Sequence, residues 1–137
     1  MSQFAQQALA LSRALNDYAE AVRDRGRAQW RADEIDEDDY EEIKRTYNEL
    51  RGASRTLAAQ ASKSAAKGVE RQLARLQRAT GELEQAKRRV DRAANIVGVA
   101  AQLLAVSAAA VTMVATPNPA SIVAVIVAIE QTVKKVG

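Results

Sequence analysis

Between Arg92 and Glu130 the chain carries no charged side chain for 37 consecutive residues, although Asp, Glu, Lys and Arg make up 27% of the 137-residue protein. A stretch of that length cannot face water along its whole surface, so it must be buried by protein or by lipid. The protein's two prolines, Pro117 and Pro119, both fall inside it. Proline disfavours helix in the residue before it, which ends any preceding helix at Thr116. Asn118 followed by Pro119 is a restart signal: an N-cap, then a proline at the first helical position. The run therefore reads as a helical hairpin, with Ala93–Ala115 in one limb and Ala120–Val136 in the other. The second limb is β-branched at Ile122, Val123, Val125, Ile126, Val127 and Ile129, a pattern that alone also fits a buried strand. Its length, its Asn-Pro start and the three-four spacing of Ile122, Ile126, Ile129, Val133 and Val136 favour helix.

The front of the chain is charged and also helical in pattern. Phe4, Ala8, Leu11, Leu15, Tyr18 and Val22 form a narrow seam over residues 3–31. Asp36 or Asp38 then caps a second helix, whose first turn gathers Asp39, Glu41 and Glu42 at the positive end of the helix dipole. That helix repeats the seam with Tyr40, Ile43, Tyr47, Leu50, Ser54, Leu57, Ala61 and Ser64. A turn or register slip follows near Ser62–Gly68. From Val69 the three-four spacing runs unbroken through Leu73, Leu76, Thr80, Leu83, Lys87, Val90, Ala94, Val97, Ala101, Leu104, Ala108 and Val111 to Ala115. One helix of that length would extend about 70 Å. The fold class expected is all-α: an elongated coiled-coil or bundle of three to four helices with a C-terminal apolar hairpin. Two regions follow, a charged coiled coil over 1–92 and an uncharged Ala/Val-rich hairpin over 93–137. Seams this narrow leave one copy unable to cover the hairpin, so a homo-oligomer is expected.

Charge and composition narrow the chemistry. With no cysteine and no histidine, disulfides, zinc sites and Ser-His or Cys-His catalysis are excluded. Residues 33–43 carry eight acidic and no basic side chains, whereas residues 44–92 carry thirteen Lys/Arg against five Asp/Glu. The acidic run lacks the glycine and terminal glutamate spacing of an EF-hand loop and is read as capping charge on a solvated turn. No Gly-rich phosphate loop is present, and no cofactor or enzymatic activity is expected. Arg51, Arg55, Lys63, Lys67, Arg71, Arg75 and Arg78 are spaced to track phosphates, but without interleaved aromatics they read as a solvated face, and nucleic acid is an unlikely partner. The N-terminus shows no basic n-region and no unbroken apolar core, so no cleavable signal peptide is expected. Cytoplasmic, membrane-associated and non-classically exported locations all stay open.

Two functional readings fit the hairpin. In the first, the protein is membrane-active or membrane-anchored: Ile96, Val97, Leu103, Leu104, Val111, Ile122, Val125, Ile126 and Ile129 meet lipid, shielded in a soluble state and released on oligomerisation. Lys87, Arg88, Arg89 and Arg92 before the hairpin, with Lys134 and Lys135 after it, form a basic flank at both wet ends, and the turn is uncharged. The first limb, 23 residues long, can span a bilayer core of about 30 Å. The second limb is short for a span, and no Trp or Tyr follows residue 92 to form an interfacial belt. In the alternative, the same residues form an oligomer or partner interface in a soluble structural or adaptor assembly. Gly81, Arg88, Asn95, Gln102 and Ala109 share one heptad position, a polar stripe suited to water in a soluble bundle or to a pore lumen. A charged stalk with a terminal apolar hairpin resembles α-helical pore-forming proteins in outline, a likeness of architecture carried by no motif.

Overall fold

Four of the α-helices start where a side chain satisfies a free amide of the first turn, and the third starts after Val69 without such a cap. The computed structural model, which describes residues 2–137, contains five α-helices: α1 Gln3–Arg31, α2 Glu37–Ala61, α3 Glu70–Ala86, α4 Ile96–Ala115 and α5 Pro119–Val136. A 3-10 segment, Lys87–Arg92, joins α3 to α4, and no strand occurs among the described residues. Ser2 caps α1 by accepting from Ala5 N at 3.0 Å, and Asp36 caps α2 by accepting from Asp39 N at 2.8 Å. Asn95 caps α4 and accepts from Gly98 N at 2.9 Å. At α5 the capping is reciprocal: Asn118 Oδ1 accepts from Ser121 N, and Ser121 Oγ accepts from Asn118 N. Each of these bonds removes one of the orphan donors a helix start leaves behind.

The expected single helix from Val69 to Ala115 is not formed. After Ala86 the chain tightens into the 3-10 segment, extends at Ala93 (φ −66°, ψ 127°) and restarts under the Asn95 cap. Three causes act together. Lys87, Arg88, Arg89 and Arg92 crowd like charge onto two turns, which weakens an α-helix. Asn95 offers the backbone a capping geometry in place of a helical one. From α1, Arg25 Nε and Nη2 donate to the Ala93 carbonyl at 3.2 and 3.1 Å, and the Gln29 amide reaches the Ala93 and Ala94 carbonyls at 3.4 Å. Those bonds satisfy carbonyls that the break leaves exposed.

The break turns the apolar seam inside out. Val69, Leu73, Leu76, Thr80, Leu83 and Val90 are buried, as their spacing requires. Past it, Ala94, Ala101, Ala108 and Ala115 of the same seam are exposed, and Val97, Leu104 and Val111 are only half-buried. The core face of α4 is instead Ile96, Val99, Ala100, Leu103, Val106, Ser107, Ala110, Met113 and Val114.

The helices pack in the spatial order α1, α2, α4, α5, α3, with α1 closing the ring against α3 and also reaching α4. Ser12 and Ser54 each donate a hydroxyl to the other's carbonyl at 2.8 Å, which sets the antiparallel register of α1 on α2. Near the other end of that pair Gly26 allows close approach, because a Cβ there would sit 2.8 Å from Ile43 Cδ1. The Tyr18 hydroxyl donates to the Leu83 carbonyl at 2.5 Å and fixes α3 on α1.

A single chain covers much of the hairpin, contrary to the reading of narrow seams. The buried face of α1 holds Ala5, Gln7, Ser12, Ala14 and Ala19 beside Phe4, Leu11, Leu15, Tyr18 and Val22. Small residues flanking the large ones widen the stripe, so α1 meets α2, α3 and α4 at once. One apolar core runs without interruption from Phe4 to Val136.

Candidate functional site

Along α4 the core-facing residues alternate with outward ones of nearly the same chemistry. Outward lie Ala101, Ala105, Ala108, Thr112 and Ala115, all exposed, flanked by half-buried Val97, Leu104, Ala109 and Val111. Not one is charged. On α5 the outward positions of the uncharged stretch are Ala120, Ala124 and Val127, the last 45% exposed and one of two exposed large apolar side chains in the described chain. α4 is the one helix among the described residues that is long and apolar enough to cross a membrane, and less than half of its apolar stretch is buried.

The nine apolar residues singled out from sequence divide between these faces. Ile96, Leu103, Ile122, Val125, Ile126 and Ile129 are each no more than 1% exposed and belong to the core. Val97, Leu104 and Val111 lie toward the outside. Sequence reasoning passed over Ala101, Ala105, Ala108 and Ala115 as site residues, since alanine alone does not distinguish a docking face from a filler. The signal that could have found them was the absence of any charge at positions of one helical face.

The basic flank gathers at one end of the molecule. α4 and α5 pack against each other across the short Thr116–Asn118 turn, so the start of α4 lies beside the end of α5. A Cβ on Gly98 would sit 2.8 Å from Lys135 Cε, which places the Lys135 side chain across the first turn of α4. The 3-10 segment brings Lys87, Arg88, Arg89 and Arg92 to the same end. Lys87 pairs with Asp17 at 3.7 Å, on the edge of a cleft of about 440 Å³ between α1 and α3. Arg89 is half-buried near Tyr18, whose hydroxyl burial pushes well above the ordinary tyrosine value while Arg89 pulls weakly the other way. Arg88, Arg92, Lys134 and Lys135 are exposed and belong to none of the ion pairs among the described residues.

The opposite end is uncharged at the hairpin turn. There Ser64, in the α2–α3 loop, donates its hydroxyl to the Val114 carbonyl at 2.7 Å and anchors the end of α4. Of the polar stripe, Asn95 serves as a cap, Gly81 and Arg88 are exposed, and Gln102 sits at the flank of α4 with a buried Oε1 that lacks a partner. The side chain–backbone bonds that tie the hairpin to the rest of the bundle come from Arg25, Gln29 and Ser64.

A scan against protein-family models finds no match to this chain, and searches of curated proteins and of solved structures find none either.

Proposed function

We propose that this is a membrane-active helical protein whose α4–α5 hairpin rests packed in a soluble five-helix bundle and leaves it to enter lipid. The observation that carries the reading is that α4 is apolar on both faces, the one against the bundle and the one against solvent. A surface helix of a soluble domain ordinarily turns charge outward, whereas a helix apolar all round belongs in a large core or in a bilayer. The break at residues 87–95 gives the hairpin a joint about which to move, and its hydrogen-bonded ties to α1 and to the α2–α3 loop are few.

The direct test is flotation of the full chain with liposomes, together with an Ala101→Glu/Ala108→Glu variant. Both positions are exposed, so the bundle keeps its fold, which circular dichroism checks. Flotation by the full chain that the variant loses is the expected result. A charge at the centre of a spanning helix costs about 3 kcal/mol or more.

A second reading rests on the spacing of that outer face. Val97, Ala101, Leu104, Ala108, Val111 and Ala115 recur by four and three, the period of a helix that pairs with another helix. In this reading two copies join through α4 in a soluble assembly. Light scattering without lipid distinguishes the two: a discrete oligomer that the Glu variant returns to monomer, with no flotation, favours the assembly and rejects the membrane.

A further inference from the structure

The four cations at the end of the hairpin form no ion pair among the described residues. Arg88 and Arg92 project from the 3-10 segment, Lys134 and Lys135 from the last turn of α5, and the fold brings these two groups, more than forty residues apart in sequence, to one end. The acidic run that joins α1 to α2 also lies toward this end, where Gln29 meets Ala93, yet no ion pair links it to these side chains. Stacking unneutralised cations costs self-repulsion, and the lysines at the end of α5 recover only part of it by facing the negative end of that helix. The other end of the hairpin, Thr116 to Ala120, has no charge at all.

Resting on the reading of α4–α5 as a lipid-entering hairpin, we infer that Arg88, Arg92, Lys134 and Lys135 bind the headgroups of an anionic bilayer and set the direction of insertion. The uncharged turn enters first. The basic end stays at the surface it approached from, because carrying four cations through hydrocarbon is far costlier than carrying an uncharged turn. Charge complementarity selects the lipid: a negatively charged leaflet supplies counter-ions to side chains that form no ion pair within the bundle, and a zwitterionic one does not.

The experiment compares flotation of the full chain on vesicles of phosphatidylcholine alone with flotation on phosphatidylcholine mixed with phosphatidylglycerol. Two variants accompany it, each with four cations removed: Arg88→Gln/Arg92→Gln/Lys134→Gln/Lys135→Gln at the basic end, and Arg55→Gln/Lys63→Gln/Lys67→Gln/Arg71→Gln toward the opposite end. Each basic residue near an anionic surface contributes about fivefold to partitioning, so the first variant, which loses four, binds the mixed vesicles on the order of 600-fold more weakly. The second variant, equal in net charge, floats nearly as well as the parent. Equal flotation of the parent on both vesicle types overturns the headgroup assignment and leaves the membrane reading standing. Equal loss in the two variants overturns the location of the binding surface. No flotation on either vesicle type overturns both.

Discussion

The protein contains two helical hairpins, α1–α2 and the shorter α4–α5, and their inner faces are hard to tell apart. Leu11, Leu15, Tyr18 and Val22 do for α1 what Leu103, Val106, Ala110 and Met113 do for α4. Their outer faces differ most at α4. α1 turns out Arg13, Asp17, Glu20 and Asp24, and α2 turns out Glu41, Glu42, Arg45 and Glu49, whereas α4 turns out alanines and a threonine. Burial alone thus explains why both hairpins fold, and it leaves the outer face of α4 without a structural purpose. Function is to be sought on the surface where the two hairpins part company.

The largest test of this comparison is whether the inner faces are as equivalent as they look. Leu15→Ala and Leu103→Ala each remove a side chain that is fully buried in the same continuous core. Each is expected to cost about 2–5 kcal/mol in urea unfolding, with one shared transition. Leu104→Ala, one residue further along α4 but half-buried on the outside, is expected to cost less than about 1 kcal/mol. A separate, early transition in the Leu103→Ala protein would show that the hairpin unfolds apart from the front helices, and the one-core view would fall.

A smaller effect separates the polar joints. The Tyr18 hydroxyl bonds the Leu83 carbonyl inside the front bundle, and burial raises its ionisation above the ordinary tyrosine value. Because the folded state holds the neutral phenol, this stability is fully present below the unfolded-state value of about 10 and is lost as pH rises beyond it. Tyr18→Phe is expected to cost about 1 kcal/mol at neutral pH and then to decline less steeply in alkali than the parent. Denaturant titrations at neutral and alkaline pH measure both. Parallel decline of the two proteins would place the alkaline sensitivity elsewhere.

How much of this was legible beforehand depended on whether the signal was covalent or tertiary. The hairpin turn was readable, because Pro117 fixes the end of α4 and Asn118-Pro119 the start of α5 through bonds within the turn itself. The end of α1 and the Asp36 cap were readable for the same local reason. The break at 87–95 was not, because Val90, Ala94 and Val97 keep the heptad spacing while Arg25 and Gln29, over sixty residues upstream, supply the bonds that stabilise the break. Nor was it legible which face of α4 is buried. With Val, Ala and Leu on every side, the sequence offers no contrast for periodicity to detect, and only the rotation at the break decides. The width of the face of α1 escaped for a related reason: Ala5, Ala14 and Ala19 fill the flanks of the seam without announcing themselves as core.

The smallest contrast lies in how the two hairpins start their second helix. Asp36 accepts one amide bond in an exposed turn, and Glu37, Asp38 and Asp39 follow it at once. Asn118 accepts one and donates one in a partly buried box that needs no charge. Asn118→Ala is expected to cost about 1 kcal/mol, the ordinary worth of such a cap. Asp36→Ala should cost roughly half as much, since removing one carboxylate from a crowd of four relieves repulsion as it forfeits the bond. Added salt screens that repulsion, so the Asp36→Ala deficit should grow with ionic strength while the Asn118→Ala deficit holds constant. Urea unfolding at low and high salt reads the difference. An Asp36→Ala deficit that shrinks with salt would mean that its charge, acting on the dipole of α2, matters more than the crowding around it.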